Sequence, residues 1–312
     1  MKAIDIIPTS DTWKIVDSTK LTNFMECPRS YFYEYVLGWR SIYPNLHLEF
    51  GTAWHLAMEH LLQKGYSAEE VKNAYGLLEA HYRQFFSVEM DASNAPKNPS
   101  NAFMALVEYV NFWKEQDSDD KVLYTEIAGV ASINKDRLIH FRMDSILEQK
   151  KGITSREHKT ASQLSRQWRD QWSLAIQVGT YLHVLYCLFP PEKVWGVEIN
   201  GSIFNKTKTQ FERVPCRRQP QMMDVWLATV NYWVDNVDRE MDFLFNECSE
   251  EDAVLRAFPQ NPTNCTKYFG CKFQDFCLSW ANPLQHCKTP PMEMKIEHWN
   301  PATKESNYYF TV

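Results

Sequence analysis

The stretch that decides the fold is FRMDSILEQKKGITSREHKTAS, residues 141–162. Apolar and polar side chains alternate from Phe141 to Asp144, before the Lys-Lys-Gly turn at 150–152, and Glu157 and Lys159 follow that turn. Such alternation is typical of half-buried strands, and the turn residues are typical of a tight connection. The pattern predicts two neighbouring strands, and VLYTEIAGVASI at 122–133 predicts a third that completes a meander.

The charged side chains of this stretch can be interpreted as a metal-dependent active site. Residues two apart on a strand point to the same side, so Glu157 and Lys159 share a face, and strand pairing brings Asp144 beside them. Two carboxylates and a backbone carbonyl, such as that of His158, make a suitable partial shell for Mg²⁺. Lys159 would orient the attacking water or neutralise charge on a phosphate. A solvated sheet face carries similar charges, and the triplet alone does not decide between the two interpretations.

Composition indicates a globular protein of the cytosol. The 312 residues are 44% hydrophobic, which allows one elaborated domain or two small ones. No run of about twenty apolar residues predicts a membrane span, and the N-terminus MKAIDIIPTSDTWK lacks a signal-peptide pattern. In the reducing cytosol, the eight cysteines favour metal or redox chemistry over a disulfide framework.

The net charge of −6 argues against a protein that coats nucleic acid nonspecifically, since such binding depends on neutralising phosphates with Lys and Arg. Local basic pairs such as Lys150-Lys151 and Arg217-Arg218 could line a groove, but they are equally typical of solvated faces. Charge therefore excludes a class of coating proteins without excluding an enzyme.

Helical periodicity surrounds the predicted meander. Ser18 or Thr19 is expected to cap a first helix, and Pro28 to start a second that leaves Cys27 at its N-terminal end. Further helices are predicted from GTAWHLAMEHLLQ (51–63), VKNAYGLLEAHYRQFF (71–86), AFMALVEYVNFWKEQ (102–116) and WSLAIQVGTYLHVLYCLF (172–189). VWGVEINGSIF and QFERVPC predict one or two more strands. A long amphipathic helix from Gln221 to Cys248 has an expected apolar side of Val225, Trp226, Val230, Trp233, Val234, Val237 and Met241.

Four sequence motifs resemble those of a known family and occur in the same order. FRMDSIL followed by REHKT resembles the paired acidic motifs of the PD-(D/E)xK nuclease superfamily, particularly its RecB-like branch. Gln177-x-x-x-Tyr181 resembles the branch's glutamine-tyrosine motif, and FGTAWHLAMEHLL resembles its histidine motif, with His55 at the matching position. The resemblance implies that His55 is an additional metal ligand beside Asp144 and Glu157. It also implies that Gln177 and Tyr181 line the nucleic-acid side of the catalytic pocket.

Each of the outlying motifs has an ordinary structural explanation. His55 could form a polar i,i+4 pair with Glu59, and Gln177 could satisfy a buried polar group. The joint occurrence of the motifs around the meander favours the functional interpretation.

Four cysteines provide a second signal. Cys27 lies near the start of the chain, and Cys265, Cys271 and Cys277 lie near its end. Four thiolates bind Zn²⁺ or an iron-sulfur cluster, and spacing alone leaves both open. In iron-sulfur members of the RecB-like branch, including AddB-type and CRISPR-associated nucleases, one cysteine before the core and three after it hold a [4Fe-4S] cluster, and the resemblance implies the same here.

The cysteine spacing departs from that of the relatives. Cys265-x5-Cys271 is wider than their first pair of C-terminal cysteines, so Cys287 is the alternative ligand. Cys187, Cys216 and Cys248 are interpreted as ordinary core or surface residues.

The resemblance implies an α/β fold: a restriction-endonuclease-like core with a small mixed sheet flanked by helices, a helical insertion and a C-terminal iron-sulfur-binding loop. We expect a single elaborated nuclease domain over 1–312. Its expected parts are N-terminal helices (18–60), the insertion (61–120), the catalytic core (121–215), a long helix with the cysteine loop (216–287) and a tail (288–312).

The implied activity is Mg²⁺- or Mn²⁺-dependent hydrolysis of DNA, as an exonuclease on single strands or duplex ends, in recombination, repair or phage DNA metabolism. The chain has no G-x-x-x-x-G-K-[ST] phosphate loop, so unwinding would need a partner, such as a helicase acting beside a recombinase or annealing protein. Two alternatives stay open: a catalytically inactive nucleic-acid-binding module on the same fold, and a zinc-stabilised interaction protein.

Overall fold

The computed structural model describes residues 1–267, 270–303 and 305–312. The α-helices are α1 (Ala3–Ile6), α2 (Ser18–Glu26), α3 (Pro28–Tyr31), α4 (Leu46–Lys64), α5 (Ala68–Tyr82), α6 (Pro99–Trp113), α7 (Arg166–Asp170), α8 (Ile176–Leu188), α9 (Pro220–Glu247) and α10 (Gln274–Ser279). The strands are β1 (Val16–Asp17), β2 (Trp39–Ser41), β3 (Lys121–Ser132), β4 (Leu138–Gln149), β5 (Gly152–Ala161), β6 (Val194–Phe204), β7 (Thr209–Cys216), β8 (Met294–Ile296) and β9 (Tyr308–Thr311).

The main sheet is mixed and runs in the order β7-β6-β5-β4-β3-β9, with β1 pairing in parallel with β4. β5 is antiparallel to β4 and parallel to β6, so it lies inside the sheet with pairing partners on both edges. Helices α4 and α8 pack against β5, and α6 packs against β7. The predicted α/β class and the meander β3-β4-β5 are confirmed.

The chain forms two compact units. The first unit comprises residues 1–43 and 131–140 and the described part of 221–304, and the second comprises 44–130, 141–220 and 305–312. The expectation of one elaborated domain over 1–312 stays a prediction. No helix within the described residues is both long and apolar enough to span a membrane.

The core of the second unit forms around α4. Phe50, Trp54, Met58 and Leu61 recur every three or four residues, which places them on one helical face. Side chains of α5, α6 and β6 complete this core: Val71, Ala74, Leu78, Tyr82, Ala102, Ala105, Leu106, Tyr109, Trp113 and Phe204. The predicted helical insertion is thus built of α5 and α6. The helix expected from residue 51 begins earlier, at Leu46, because the Asn45 side chain accepts hydrogen bonds from the next backbone N–H groups.

The first unit confirms the helix start at Pro28, with Cys27 as the preceding N-cap residue. The expected cap of α2 was wrong: Oδ1 of Asp17, rather than Ser18 or Thr19, accepts a 2.8 Å bond from the Lys20 N–H. The long helix α9 is confirmed, but Val225 is 55% exposed and does not belong to its buried side.

Two further boundaries differ from expectation. Residues 171–174 form a turn, so α8 begins at Ile176 instead of Trp172. The predicted tail also contains strands: β8 pairs antiparallel with β2, and β9 pairs in parallel with β3. Sequence patterns missed both strands because each is only three or four residues long.

Candidate active site

Two acidic side chains meet across strands β4 and β5. Ser145 of β4 lies opposite Arg156 of β5 in an antiparallel register, so the next step places Asp144 opposite Glu157. The His158 N–H also donates a 2.7 Å hydrogen bond to Oδ2 of Asp144. The structure therefore brings together the two carboxylates that the sequence proposed as metal ligands.

Glu157 has two oxygens in different surroundings. Its side chain is 3% exposed, and Oε1 accepts hydrogen bonds from Nζ of Lys159 at 2.8 Å and from Nε2 of Gln177 at 3.1 Å. Oε2 is buried and has no hydrogen-bond partner within the described part of the chain. A buried carboxylate oxygen without a partner costs free energy, and binding a hard cation would satisfy this oxygen.

His55 reaches this site from α4. Its Nδ1 lies 3.1 Å from Oδ1 of Asp144. The alternative pair with Glu59 is replaced, since the Glu59 carboxylate accepts hydrogen bonds from Gln63 and Asn307. His55 is thus placed beside the carboxylates, as the histidine motif implied.

Gln177 and Tyr181 lie one turn apart on α8. Besides its bond to Glu157, Nε2 of Gln177 lies 2.7 Å from the Tyr181 hydroxyl, which donates to the backbone carbonyl of Arg142. The polar group that Gln177 satisfies is therefore Glu157 itself. These bonds connect α8 to both motif-bearing strands.

Burial and charge separate the acidities of the two carboxyls. Burial alone would raise the pKa of Asp144, but the charge and hydrogen bond of His55 outweigh it and hold that pKa well below its usual range. Burial, followed by the charge of Asp144, raises the pKa of Glu157. Burial would lower the pKa of Lys159, yet the Glu157 carboxylate outweighs it and raises that pKa, so the ammonium stays charged at neutral pH.

His158 serves the site through its backbone. Burial lowers the pKa of its imidazole to about 3, so the ring is neutral. Its Nδ1 lies 3.0 Å from Nδ2 of Asn200 on β6. The His158 carbonyl stays a proposed ligand.

Sequence patterns missed a buried ion-pair network on β5. Arg156 is fully buried and forms ion pairs with Asp117 at 3.2 Å, Asp120 at 2.8 Å and Glu198 at 2.9 Å. Arg213 of β7 donates to Asp117 as well. Because Arg156 adjoins Glu157 in the chain, this network fixes the strand that carries the site.

A second missed pair is Glu126 on β3 and Arg142 on β4. Glu126 has a left-handed φ of 47°, which is uncommon outside glycine, and its Oε2 accepts two hydrogen bonds from the Arg142 guanidinium. Burial, followed by the charge of Asp144, raises the pKa of Glu126 to about 7. Its one sequence signal was an acidic residue within the apolar strand VLYTEIAGVASI.

The family comparison agrees with this geometry, because the model of the PD-(D/E)XK nuclease superfamily matches residues 18–278. The chain belongs to the PD-(D/E)XK nuclease superfamily. Members of this superfamily are generally metal-dependent nucleases that act on DNA and typically use Mg²⁺ or Mn²⁺.

Other comparisons add little to this membership. No curated protein matches the chain by sequence. The crystal structure of SSO0001 is similar at 12% identity over 74% of this chain and 78% of that one, with a TM-score of 0.32, which is too low to support an argument.

The proposed metal ligands of this candidate site are not grouped in advance. Within residues 1–267, 270–303 and 305–312, no three His, Cys, Asp or Glu side chains are arranged as a ready metal site. His55 bonds to Asp144, and Glu157 bonds to Lys159 and Gln177. A bound cation would therefore have to displace some of these hydrogen bonds. Oε2 of Glu157, which has no partner within the described residues, is already free to bind it.

Three of the four proposed cluster cysteines share a cavity in the first unit. Cys27, Cys265 and Cys271 line a cavity of about 210 Å³. Burial raises the pKa of the Cys277 thiol to about 11, and its neighbours Cys27, Cys271 and Cys265 add to the rise. Despite the wider spacing, Cys265 and Cys271 thus line the same cavity. Tyr268 and Phe269, between them, lie outside the described residues.

The alternative ligand Cys287 has a different environment. It is buried, and its thiol donates to the carbonyl of Leu284 at 3.4 Å. Cys216 and Cys248 are buried and Cys187 is exposed, in keeping with their interpretation as core or surface residues.

Proposed function

We propose that this chain is a Mg²⁺- or Mn²⁺-dependent deoxyribonuclease of the RecB-like branch, acting as an exonuclease on single-stranded DNA or duplex ends. The observation that carries the proposal is the environment of Glu157. Lys159 and Gln177 hold one of its oxygens, while the other is buried without a partner in the described part of the chain. Buried, paired carboxylates next to a lysine are better explained by metal-assisted phosphodiester hydrolysis than by a solvated sheet face.

Asp144 and Glu157 would hold the metal, together with His55 and the backbone carbonyl of His158. A bound Mg²⁺ or Mn²⁺ supplies Lewis-acid activation of water and neutralisation of phosphate charge. The Lys159 ammonium donates a hydrogen bond to a phosphoryl oxygen or orients the attacking water. Gln177 fixes the Glu157 carboxylate.

We further propose that Cys27, Cys265, Cys271 and Cys277 hold a [4Fe-4S] cluster. The shared cavity supports this, as does the 3.4 Å hydrogen bond from the Asn261 N–H to Sγ of Cys27. Lys267 and Lys272 also line the cavity, and nearby cations favour thiolates. Zn²⁺ is the alternative that four thiolates accommodate.

The biological setting in this proposal rests on the resemblance alone. It comprises a cytoplasmic location, a role in recombination, repair or phage DNA metabolism, and a helicase, recombinase or annealing protein as partner.

The test is degradation of 5′-labelled and 3′-labelled single-stranded and duplex DNA with Mg²⁺ or Mn²⁺. We expect Lys159→Ala to lower the rate by about 100-fold or more, the scale seen when an electrostatic group is removed from an active site. Lys150→Ala removes the same charge from a side chain that is 84% exposed and should leave the rate unchanged. Equal rates for wild type and Lys159→Ala would contradict the assignment, and DNA binding without cleavage would favour the inactive module.

A further inference from the structure

The turn between α7 and α8 places a tryptophan at the proposed active site. Nζ of Lys159 lies 5.9 Å from the ring centroid of Trp172. The indole of Trp172 meets that of Trp168 edge to face at 5.8 Å. Trp168 is seated directly on β6, since a Cβ added at Gly201 would lie only 2.3 Å from its Cη2. Trp172 therefore has a firm support next to the lysine.

The backbone after Trp172 is held in place as well. Arg218 donates from Nε to the carbonyl of Ser173 and from Nη2 to that of Ala175, each at 3.0 Å. Between these anchors, Leu174 is 77% exposed. The guanidinium thus positions an apolar side chain in solvent one turn before Gln177.

A role in the core does not account for this tryptophan. Core tryptophans bury the ring, as Trp39 and Trp54 of this chain do at 0% exposure. Trp172 is only half-buried. An aromatic face beside a phosphate-binding cation is the arrangement with which proteins bind single-stranded nucleic acid, because bases stack on the ring while the backbone stays at the cation.

We propose that Trp172 stacks on an unpaired nucleobase next to the scissile phosphate, with Leu174 in contact with the adjoining nucleotide, so that the substrate is single-stranded DNA or a frayed duplex end. This inference rests on the proposed nuclease function. Bases within a duplex are already stacked on each other, and extracting one costs free energy, so the platform selects ends that are unpaired.

The test compares an intact single-stranded oligonucleotide with one that carries abasic sites at the nucleotides nearest the cleaved end. Kd is measured by fluorescence anisotropy with Ca²⁺ in place of Mg²⁺, and kcat/KM is measured with Mn²⁺. We expect Trp172→Ala to weaken binding of the intact strand about 10-fold, within the range for loss of one stacked base, and Trp172→Phe to retain most of the affinity. On the abasic strand, wild type and Trp172→Ala should bind alike.

Two further variants serve as controls. Leu174→Ala alters an exposed side chain that folding does not need, and should weaken binding of the intact strand only. Trp195→Ala removes a ring that also lies under a lysine, with Nζ of Lys151 at 3.8 Å, but at the opposite end of β5, and should change neither Kd.

The outcomes separate the two proposals. If Trp172→Ala weakens binding equally on intact and abasic strands while cleavage by wild type is normal, stacking is overturned and the nuclease function stands. If Trp172→Ala weakens binding of the intact strand but not of the abasic strand, and wild type cleaves no substrate, stacking is supported and the nuclease proposal fails.

Discussion

The side-chain amide of Gln177 donates a 3.1 Å hydrogen bond to Oε1 of Glu157, across the gap between helix α8 and strand β5. The same amide nitrogen lies 2.7 Å from the Tyr181 hydroxyl. A carboxylate fixed in this way presents its other oxygen in a defined direction. This matters for the proposed metal ligand, because hydrogen bonds to a ligand orient it toward the metal.

Replacement of Gln177 should therefore impair metal use without unfolding the protein. We expect Gln177→Ala to raise the Mn²⁺ concentration for half-maximal cleavage about 10- to 100-fold, the usual cost of losing a hydrogen bond that orients a metal ligand. Titration of activity with Mn²⁺ measures this. Gln84→Ala, at an exposed position after α5, is the control and should match wild type; an unchanged titration for Gln177→Ala would refute the ligand-orienting role.

Arg156 should be essential for stability. Arg156→Met removes the fully buried cation that Asp117, Asp120 and Glu198 share, and breaking a buried ion pair in this way costs about 3–5 kcal/mol. Urea unfolding followed by tryptophan fluorescence gives the free energy of unfolding. In the control Arg166→Met, the lost ion pair with Asp170 is 93% exposed on the arginine side, so the cost should stay below about 1 kcal/mol. Similar losses in both variants would contradict the network's role.

Lys97 should make stability depend on pH in the alkaline range. Its side chain is 4% exposed, and burial lowers its pKa from 10.5 to about 8. Within the described chain no hydrogen bond or ion pair of its ammonium occurs; it lies 5.8 Å from the ring of Phe50. Between pH 8 and 10.5 the unfolded chain binds a proton that the folded chain has released, so this group's contribution to the free energy of unfolding rises with pH.

The matching substitution is Lys97→Met. It removes the cost of the buried charge and should stabilise the protein by up to about 3 kcal/mol at pH 7, with the difference from wild type shrinking as pH approaches 10. Lys20→Met is the contrast: its pKa is also lowered to about 8, but its ammonium donates to the carbonyls of Thr12 and Ile15, which the variant would leave unpaired. A pH-independent effect of Lys97→Met would refute the buried-charge explanation.

Cysteine substitutions should distinguish the proposed ligands. We expect anaerobically purified protein to be brown and to contain about four irons per chain, as a [4Fe-4S] cluster requires. Cys27→Ser, which alters the cavity, should lose iron and visible absorption, while Cys287→Ser should retain both because its thiol bonds to Leu284 elsewhere. A colourless protein with one bound Zn²⁺ would show that the cysteines form a zinc site instead of a cluster. Iron loss in Cys287→Ser, but not in Cys27→Ser, would show that Cys287 is a ligand and Cys27 is not.

Local pattern predicted the two strands of the candidate site well, because strand patterning and turn chemistry are short-range properties. Residues 141–149 and 152–160 fall on β4 and β5 as expected, and the register brings Asp144 to Glu157. The same reasoning placed α8 four residues too early, since the apolar content of WSLA does not reveal that Arg218 holds this segment as a turn.

Sequence and tertiary structure each decided a different part of the candidate active site. The sequence by itself marked the candidate residues, since a local motif points to each of Asp144, Glu157, Lys159, His55, Gln177 and Tyr181. Only the tertiary structure decided their pairing, the support by Arg156 and Glu126, and the position of Trp172 beside Lys159. Those contacts join residues far apart in the chain, and their energies depend on burial and distance, which no local pattern contains.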